Sequence, residues 1–262
     1  MLPPELALGT LQIARNLLTE VGGQMVTMAH TLRGTTSKGG VDLVTKADHF
    51  SEEAITSALA KHFPDHRIAA EEGTRLGPAD SPWCWHLDPL DGTANYSRGI
   101  PHWAISLGLS YEHKPVLGVV HGPACGITLS GAVGVGAWLG DVALPPATLA
   151  GEAKTWIIAT DWPWELAERK RTIHLLDKLS GTIRQYKTFG SAALDLAAVA
   201  MGVVDAYAIS KIFPWDQAGG VASCIALGYQ VKRWDGSAWD LRHNDIIVHR
   251  PGMWDILSTA VQ

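Results

Sequence analysis

The chain has 262 residues, of which 47% are hydrophobic and 18% charged, so it can bury the core of one large domain or two small ones and shows no sign of disorder. Its formal net charge is −5 and its largest basic block is Arg169-Lys-Arg171, so we expect no binding to nucleic acid through a broad positive surface. Its three cysteines lack a C-x-x-C spacing, which predicts neither a disulfide framework nor a structural zinc site.

The N-terminal sequence and the hydropathy pattern predict a cytoplasmic protein without a membrane partner. The first residues lack a positive region followed by an uninterrupted apolar run, which argues against a signal peptide. Residues 116–140 come closest to a membrane span, but their repeated glycines and Pro123 predict strands joined by tight turns. The histidines form no H-E-x-x-H motif, so they do not indicate a zinc enzyme.

The first half of the chain predicts helices followed by an antiparallel sheet. Residues 5–32 repeat apolar side chains at intervals of three and four, which is typical of an amphipathic helix. Thr45 followed by Asp48 resembles a capping box that opens a second helix. Strand-like runs then follow at 67–70, 84–87, 103–111 and 116–121, with further strand and turn material to about residue 140. This pattern predicts an α+β half.

The second half predicts an α/β unit behind a linker. Residues 144–151 contain Pro-Pro and small residues, and we predict a boundary there between an N-terminal domain (1–143) and a C-terminal domain (152–262). Beyond the linker, strands alternate with helices. The strands are predicted at 156–160, 183–188, 204–209 and 229–234, and the helices at 163–179, 191–202 and 216–227.

The stretch from Trp85 to Tyr96 (WHLDPLDGTANY) places two carboxylates, Asp88 and Asp91, three residues apart. Pro89 between them prevents a helix and favours an extended conformation for Asp88, so the two acids can converge on one cation. The alternative is an Asp-rich turn with ordinary capping.

The neighbours of these acids favour a metal and phosphate site. The carbonyl of Leu90 adds a third hard oxygen of the kind that Mg²⁺ prefers. The amides of Gly92 and Thr93, if they open a helix, would face an anion. Two more acidic segments, Glu71-Glu-Gly73 and the segment around Asp216, stand at predicted element ends, where side chains from distant parts of a chain can meet.

Five segments together resemble the inositol monophosphatase family, within the Mg²⁺-dependent, lithium-sensitive sugar phosphatases. They occur in the order and at the spacing of that family, and they span the chain from about residue 38 to 228. The segments are Val41–Asp48, Glu71–Gly73, Asp88–Asn95, Phe189–Ala193 and Trp215–Gly219. The resemblance implies the layered α-β-α-β-α sandwich of the sugar phosphatases, a small phosphorylated metabolite as substrate, Mg²⁺ as cofactor and a homodimer.

The resemblance also implies roles for individual residues. The implied metal ligands are Glu71, Asp88, the carbonyl of Leu90, Asp91 and Asp216. The attacking water would be oriented by the hydroxyl of Thr93, itself held by Asp48, and a loop lysine, Lys38, would reach water or phosphate. The implied substrate contacts are Leu90, Asp91, Gly92, Thr93, Gly190, Ser191, Ala192 and Asp216.

Each of these residues also has a structural alternative. Asp48 and Asp216 can be N-terminal caps of their helices, and Ser191 can be an ordinary N-cap. Glu72 either faces solvent or orients Glu71.

One position departs from the inositol-hydrolysing members of the family. They carry an acid seven positions before the C-terminal metal aspartate, where this chain has Ile209. An apolar side chain cannot accept hydrogen bonds from the hydroxyls of inositol, so inositol phosphate is not the expected preferred substrate. Histidinol phosphate, fructose bisphosphate, NADP and phosphoadenosine phosphate are the alternatives. A catalytically weak homologue used as a binding partner is a third hypothesis, and the complete set of acids argues against it.

Overall fold

The computed structural model describes residues 2–32 and 37–261, which form two β-sheets and the helices that separate and cover them. The helices are α1 (Pro4–Leu32), α2 (Ser37–His62), α3 (Thr93–Arg98), α4 (Leu166–Leu179), α5 (Ala192–Ala200), α6 (Pro214–Ala226) and α7 (Trp254–Ala260), with a short 3₁₀ turn at Ala153–Thr155. Among the described residues, no helix is both long enough and apolar enough to span a membrane.

The larger sheet has the strand order β2-β1-β3-β4-β5-β6-β7-β8. Its strands are β1 (Arg67–Ala70), β2 (Arg75–Leu76), β3 (Trp83–Asp91), β4 (Ala104–Tyr111), β5 (Lys114–Gly122), β6 (Ile127–Ala132), β7 (Gly136–Leu139) and β8 (Val142–Ala143). The pair β1–β3 is parallel and the other pairs are antiparallel.

The smaller sheet has the order β10-β9-β11-β13-β12. Its strands are β9 (Ile157–Ala159), β10 (Gln185–Lys187), β11 (Ala206–Ile209), β12 (Gln230–Lys232) and β13 (Ile246–His249). Strands β10, β9 and β11 are parallel, and β13 runs antiparallel to both of its neighbours.

Three clusters of buried hydrophobic residues join the helices and the two sheets into five layers. Helices α1 and α2 cover the outer face of the larger sheet through residues such as Met25 and Ile55. Helices α5 and α6 lie between the sheets, where Val221 belongs to a cluster with residues of both. Helices α4 and α7 cover the far face of the smaller sheet, with Leu175 and Leu257 in the third cluster. The predicted α-β-α-β-α sandwich is confirmed.

Glycines let α6 lie directly on the larger sheet. A Cβ atom added at Gly108 of β4 would come within 2.5 Å of Ala218 on α6, and one added at Gly131 of β6 within 2.6 Å of Ser223. These distances are shorter than van der Waals contact, so only glycine permits this approach. The first turn of α6, which contains Asp216, is thereby held near the end of β3.

The start of α2 differs from its prediction. The helix begins at Ser37, so Thr45 and Asp48 lie in its interior and do not form a capping box. The predicted Gly-rich loop around Lys38 is likewise the first turn of this helix, although the Lys38 side chain lies outside the described residues and its role stays a prediction. The Gly39-Gly40 pair favours a loop, but helix propensity is a weak preference that a longer helix overrides.

Candidate metal and phosphate site

A β-bulge places the two motif acids together at the end of β3. Asp88 pairs with Ser106 of β4, and the next registered pair is Asp91 with Ala104. Three steps along β3 therefore match two along β4, which is the pattern of a bulge. The extra residue offsets the normal alternation of side chains, so Asp88 and Asp91 lie on the same side of the strand. Pro89, which has no N–H to donate, falls within the interruption.

Three carboxylates from separate elements converge here. Oxygen atoms of Glu71, Asp88 and Asp216 lie within 4.8 Å of one another. Glu71 follows β1, Asp88 stands near the end of β3 and Asp216 is in the first turn of α6. Asp88 is buried, Asp216 is half-buried and Glu71 is exposed, so the group opens to solvent on the Glu71 side. This set of hard oxygen donors fits a divalent cation such as Mg²⁺.

The electrostatics of the carboxyls also fit a cation. Burial raises the pKa of Asp88 well above its ordinary value, and the charges of Glu71, Asp91 and Asp216 raise it further. Burial also raises the pKa of Asp216 well above its ordinary value, and the charge of Asp91 raises it further. Negative groups so placed take up protons unless a positive charge compensates them, and a bound cation would supply that charge.

Asp216 also caps the N-terminus of its helix, which was the structural alternative given for it in the sequence. Its carboxylate accepts a hydrogen bond from the Phe213 amide at 2.9 Å, at the N-terminus of α6. Pro214 at the first position of the helix has no N–H to satisfy. One carboxylate thus caps the helix and belongs to the acidic group.

Asp91 lies next to this group and is bound to the start of α5. Its Oδ2 accepts hydrogen bonds from the Ser191 hydroxyl at 2.5 Å and from the Ala193 amide at 2.8 Å. Burial raises the pKa of Asp91 to about 7, although these two bonds act to lower it. Ser191 is also the N-cap of α5 and accepts from the Leu194 amide. The predicted substrate-binding turn at Gly190, Ser191 and Ala192 therefore reaches the site through Asp91.

The backbone around Thr93 is fixed by short contacts. Asp88 accepts a hydrogen bond from the Leu90 amide at 2.9 Å, and the Thr93 hydroxyl donates to the Leu90 carbonyl at 3.1 Å. Gly92, with φ of 86°, precedes the six-residue helix α3. A Cβ on Gly92 would lie 3.1 Å from the carbonyl oxygens of Gly190 and His102, so a side chain there would press on the turn before α5.

Asp48 lies on α2, near the acidic side chains of Glu71 and Glu72. Burial, followed by the charges of Glu72, Glu71 and Glu52, raises its pKa to about 8. Its charge also raises the pKa of Tyr96, which places it beside α3. The Thr93 hydroxyl donates to Leu90, and the described residues show no hydrogen bond between Thr93 and Asp48.

Glu52 supports the site and was not predicted. Its carboxylate accepts hydrogen bonds from the amides of Glu72 at 2.9 Å and Thr74 at 3.0 Å, which holds the turn that carries Glu71. The side chain of Glu72 itself is exposed. Asp48 and Glu52 are four residues apart on one helix, where like charges destabilise the helix unless each has another use. The four-residue spacing of Asp48 and Glu52 was therefore the one sequence feature that could have indicated a role for Glu52.

A second pair of acids, Asp161 and Asp195, was also missed. Asp161 follows β9 and accepts hydrogen bonds from the Tyr207 hydroxyl at 2.8 Å and the Gly190 amide at 3.1 Å. Asp195 lies on α5, is completely buried and is within hydrogen-bonding distance of Asp161. The position of Asp161 after an apolar strand was a weak signal, since parallel strands commonly carry site residues at that end.

Comparison with known proteins identifies the family of the chain. Residues 9–261 match the inositol monophosphatase family. The chain is 32% identical over 255 residues to an inositol-1-monophosphatase of Synechocystis sp., covering 96% of this chain and 88% of the relative. It is 35% identical over 184 residues to the Nus factor SuhB of Escherichia coli strain K12, covering 70% of this chain and 68% of that protein. The structure of inositol monophosphatase from Anabaena (Nostoc) sp. superimposes with a TM-score of 0.80 at 30% identity, covering 97% of this chain and 95% of the other.

The fold and the acidic group define a phosphatase of the sugar phosphatase type. The chain belongs to the inositol monophosphatase family and is a phosphoric monoester hydrolase.

Proposed function

We propose that the protein is a Mg²⁺-dependent phosphatase that hydrolyses a small phosphate monoester. The observation that carries this proposal is the convergence of Glu71, Asp88 and Asp216, whose carboxylate oxygens lie within 4.8 Å of one another. Phosphoryl transfer needs positive charge on the phosphoryl oxygens and accurate positioning of water and leaving group. Membership of the family supports the same chemistry.

The three converging acids, together with Asp91 and the Leu90 carbonyl, would hold Mg²⁺. When bound, the cation supplies the positive charge that offsets the charge on the phosphoryl oxygens and on the departing alkoxide. The mutual repulsion that raises the pKa of Asp88 and Asp216 is the property that a cation would relieve.

The remaining roles fall to side chains around this group. The Thr93 hydroxyl, fixed by its bond to the Leu90 carbonyl, orients the attacking water. Asp48, whose pKa is raised by burial and by the charges of Glu72, Glu71 and Glu52, lies beside this group. Ser191 and Ala193 hold the Asp91 carboxylate in place through two hydrogen bonds.

The resemblance places an inositol-binding acid at the position of Ile209, which is apolar in this chain. Ile209, at the end of β11, is 5% exposed and belongs to the apolar cluster between the sheets. We therefore propose that inositol 1-phosphate is hydrolysed less efficiently than another small monoester.

A phosphate-release assay tests the proposal. The panel is inositol 1-phosphate, histidinol phosphate, fructose 1,6-bisphosphate, NADP, phosphoadenosine phosphate and glycerol phosphate, each with Mg²⁺ and with EDTA. We expect turnover that depends on Mg²⁺ and is inhibited by Li⁺ at millimolar concentration. Mg²⁺-independent turnover, or a preference for inositol 1-phosphate, would contradict the corresponding part of the proposal.

The relatives named Nus factor SuhB favour a second candidate, a weak enzyme that serves as a binding partner. The same assay separates the two, because such a protein would release little or no phosphate from every member of the panel. We further propose a homodimer in the cytoplasm without nucleic-acid or membrane partners, and light scattering of the purified protein tests the dimer.

A further inference from the structure

Trp215 lies where two of the acid-bearing segments meet. It directly precedes Asp216 in the first turn of α6. Its carbonyl oxygen accepts a hydrogen bond from the Ser106 hydroxyl at 3.1 Å, and Ser106 is the residue of β4 that pairs with Asp88 of β3. The backbone that leads into Asp216 is therefore bound to the strand beside Asp88.

Arg75 connects the same tryptophan to the third segment, the turn that carries Glu71. Its Nη1 atom donates hydrogen bonds to the carbonyls of Ala70 and Thr74, the second at 2.8 Å. Glu71 lies between these two residues in the chain. The Arg75 guanidinium also lies over the Trp215 ring, with its Cζ atom 5.7 Å from the ring centroid. One side chain thus contacts both the Glu71 turn and α6.

The charge of Arg75 is directed at this ring and not at a carboxylate. Glu71 and Glu72 stand four and three positions before Arg75, yet Arg75 forms no ion pair in the part of the chain that the structure describes. A guanidinium over an indole face is attracted by the π electrons of the ring. The Phe213 ring stacks on the same indole at 5.2 Å and 15°, which fixes the orientation of Trp215.

We propose that Arg75 and Trp215 are positioning residues that keep Glu71 and Asp216 close enough to bind one cation. The inference rests on the proposed Mg²⁺-dependent function. Glu71 lies in an exposed turn and Asp216 in a helix, so no strand pairing links their backbones. Glu52 fixes the turn to α2 but not to α6. The contact between the Arg75 guanidinium and the Trp215 ring supplies the missing link.

The direction of one effect separates positioning from simple electrostatics. Arg75→Met removes a positive charge near the three acids, which by charge alone would strengthen the binding of a cation. If Arg75 holds Glu71 in place, the same substitution weakens binding instead. The affinity for Mg²⁺ is measured by calorimetry without substrate in the wild type, in Arg75→Met and in Arg184→Met. The last is the matched control, since Arg184 is an exposed arginine before β10 and its loss changes the net charge equally.

We expect the Kd for Mg²⁺ to rise about tenfold in Arg75→Met and to stay within about twofold of wild type in Arg184→Met. Phosphate release by Arg75→Met should need correspondingly more Mg²⁺, with kcat at saturating Mg²⁺ close to that of the wild type.

A second substitution shows whether Arg75 acts through Trp215. Trp215→Leu removes the aromatic ring, and we expect it to weaken Mg²⁺ binding about as much as Arg75→Met. The double variant should bind no more weakly than either single variant, because both remove the same contact. Trp215→Phe keeps a ring under the guanidinium and should bind more tightly than Trp215→Leu. The indole N–H has no hydrogen-bond partner among the described residues, so phenylalanine removes no such bond.

Unchanged or tighter Mg²⁺ binding in Arg75→Met would overturn the inference, and so would losses that add in the double variant. If Trp215→Leu does not fold, Arg75→Lys decides, because lysine keeps a positive charge for the Trp215 ring. It should bind Mg²⁺ more tightly than Arg75→Met, and an equal loss in both variants would overturn the inference. A wild-type protein that binds no Mg²⁺ at millimolar concentration would instead refute the proposed metal site, and this inference with it.

Discussion

Gly118 on β5 lies against the backbone of Gly219 on α6. A Cβ atom added at Gly118 would come within 2.3 Å of the Gly219 carbonyl oxygen and 2.6 Å of its Cα atom. Both contacts are with backbone, so no side chain can rotate to relieve them. Asp216 lies less than one helical turn before Gly219, so the position of this carboxylate depends on how closely α6 approaches the sheet.

We expect Gly118→Ala to destabilise the fold by about 1–3 kcal/mol, the usual cost of overpacking, and to increase the Mg²⁺ concentration needed for activity. Thermal unfolding and Mg²⁺ titration of phosphate release measure the two effects. Gly23→Ala is the control, because a Cβ there meets nothing within 4 Å and alanine favours the helix. Equal Tm values for Gly118→Ala and the wild type would contradict the prediction.

Asp91→Asn should nearly abolish phosphate release while the protein remains folded. An amide brings no charge to offset a cation, but its oxygen can still accept a hydrogen bond from Ser191 or Ala193. Circular dichroism and kcat/KM with Mg²⁺ check the two parts, with Asp141→Asn as the exposed control. Turnover within about tenfold of wild type would refute the assigned role of Asp91.

The stability of the metal-free protein should fall as the pH rises from about 6.5 to 8.5. Asp48 and Asp91 have folded-state pKa values raised to about 8 and about 7, so in this window the folded chain holds protons that the unfolded chain has lost. Stability decreases with pH wherever the folded state binds more protons. His86, whose pKa burial lowers to about 4, has the opposite effect, but only at lower pH.

Added Mg²⁺ should therefore raise Tm more at pH 8.5 than at pH 6.5, because a cation competes with protons for the same oxygens. Differential scanning fluorimetry with EDTA or Mg²⁺ at the two pH values measures this difference. Asp48→Asn should reduce the slope of Tm against pH without Mg²⁺. A Tm that does not change with pH in EDTA would contradict the raised pKa values.

Glu52→Gln should lower the affinity for Mg²⁺, so that more Mg²⁺ is needed for half-maximal activity, and it should lower the maximal turnover to a smaller extent. Glutamine has one oxygen acceptor where Glu52 uses two to hold the amides of Glu72 and Thr74, so the turn that carries Glu71 loses one bond worth about 1–3 kcal/mol. Mg²⁺ titration of kcat shows the change. Glu53→Gln, on the exposed face of the same helix, is the control and should behave as the wild type.

The sequence predicted the features that depend on local pattern. Asp88, Pro89 and Asp91 stand within four residues of one another, so their geometry follows from a short stretch of strand. The periodicity of residues 5–32 likewise anticipated α1, which runs from Pro4 to Leu32. The layered fold came from resemblance across five segments and is confirmed by the structural comparison. The division into two domains at 144–151 stays a prediction.

The resemblance implied the meeting of Glu71, Asp88 and Asp216, but other contacts between distant segments were not predicted. The bond of Asp161 to Gly190 joins two loops that only the order of β9, β11 and α5 brings together. The strand β13 and the helix α7 were missed because a four-residue strand and a seven-residue helix are too short for periodicity to identify. The start of α2 was missed because Gly39-Gly40 mimics a loop.

The helix α6 contacts both sheets and also carries one of the three acids. A cation shared by Glu71 and Asp216 would therefore act as a reversible cross-link between parts of the chain that are far apart in sequence. Binding would oppose separation of the larger sheet from α6, because the ligand favours only the state in which the acids meet. Amide hydrogen exchange in the Glu71 turn and in the first turn of α6 should then slow together when the cation binds, so that the two ends of the candidate site open and close as one unit.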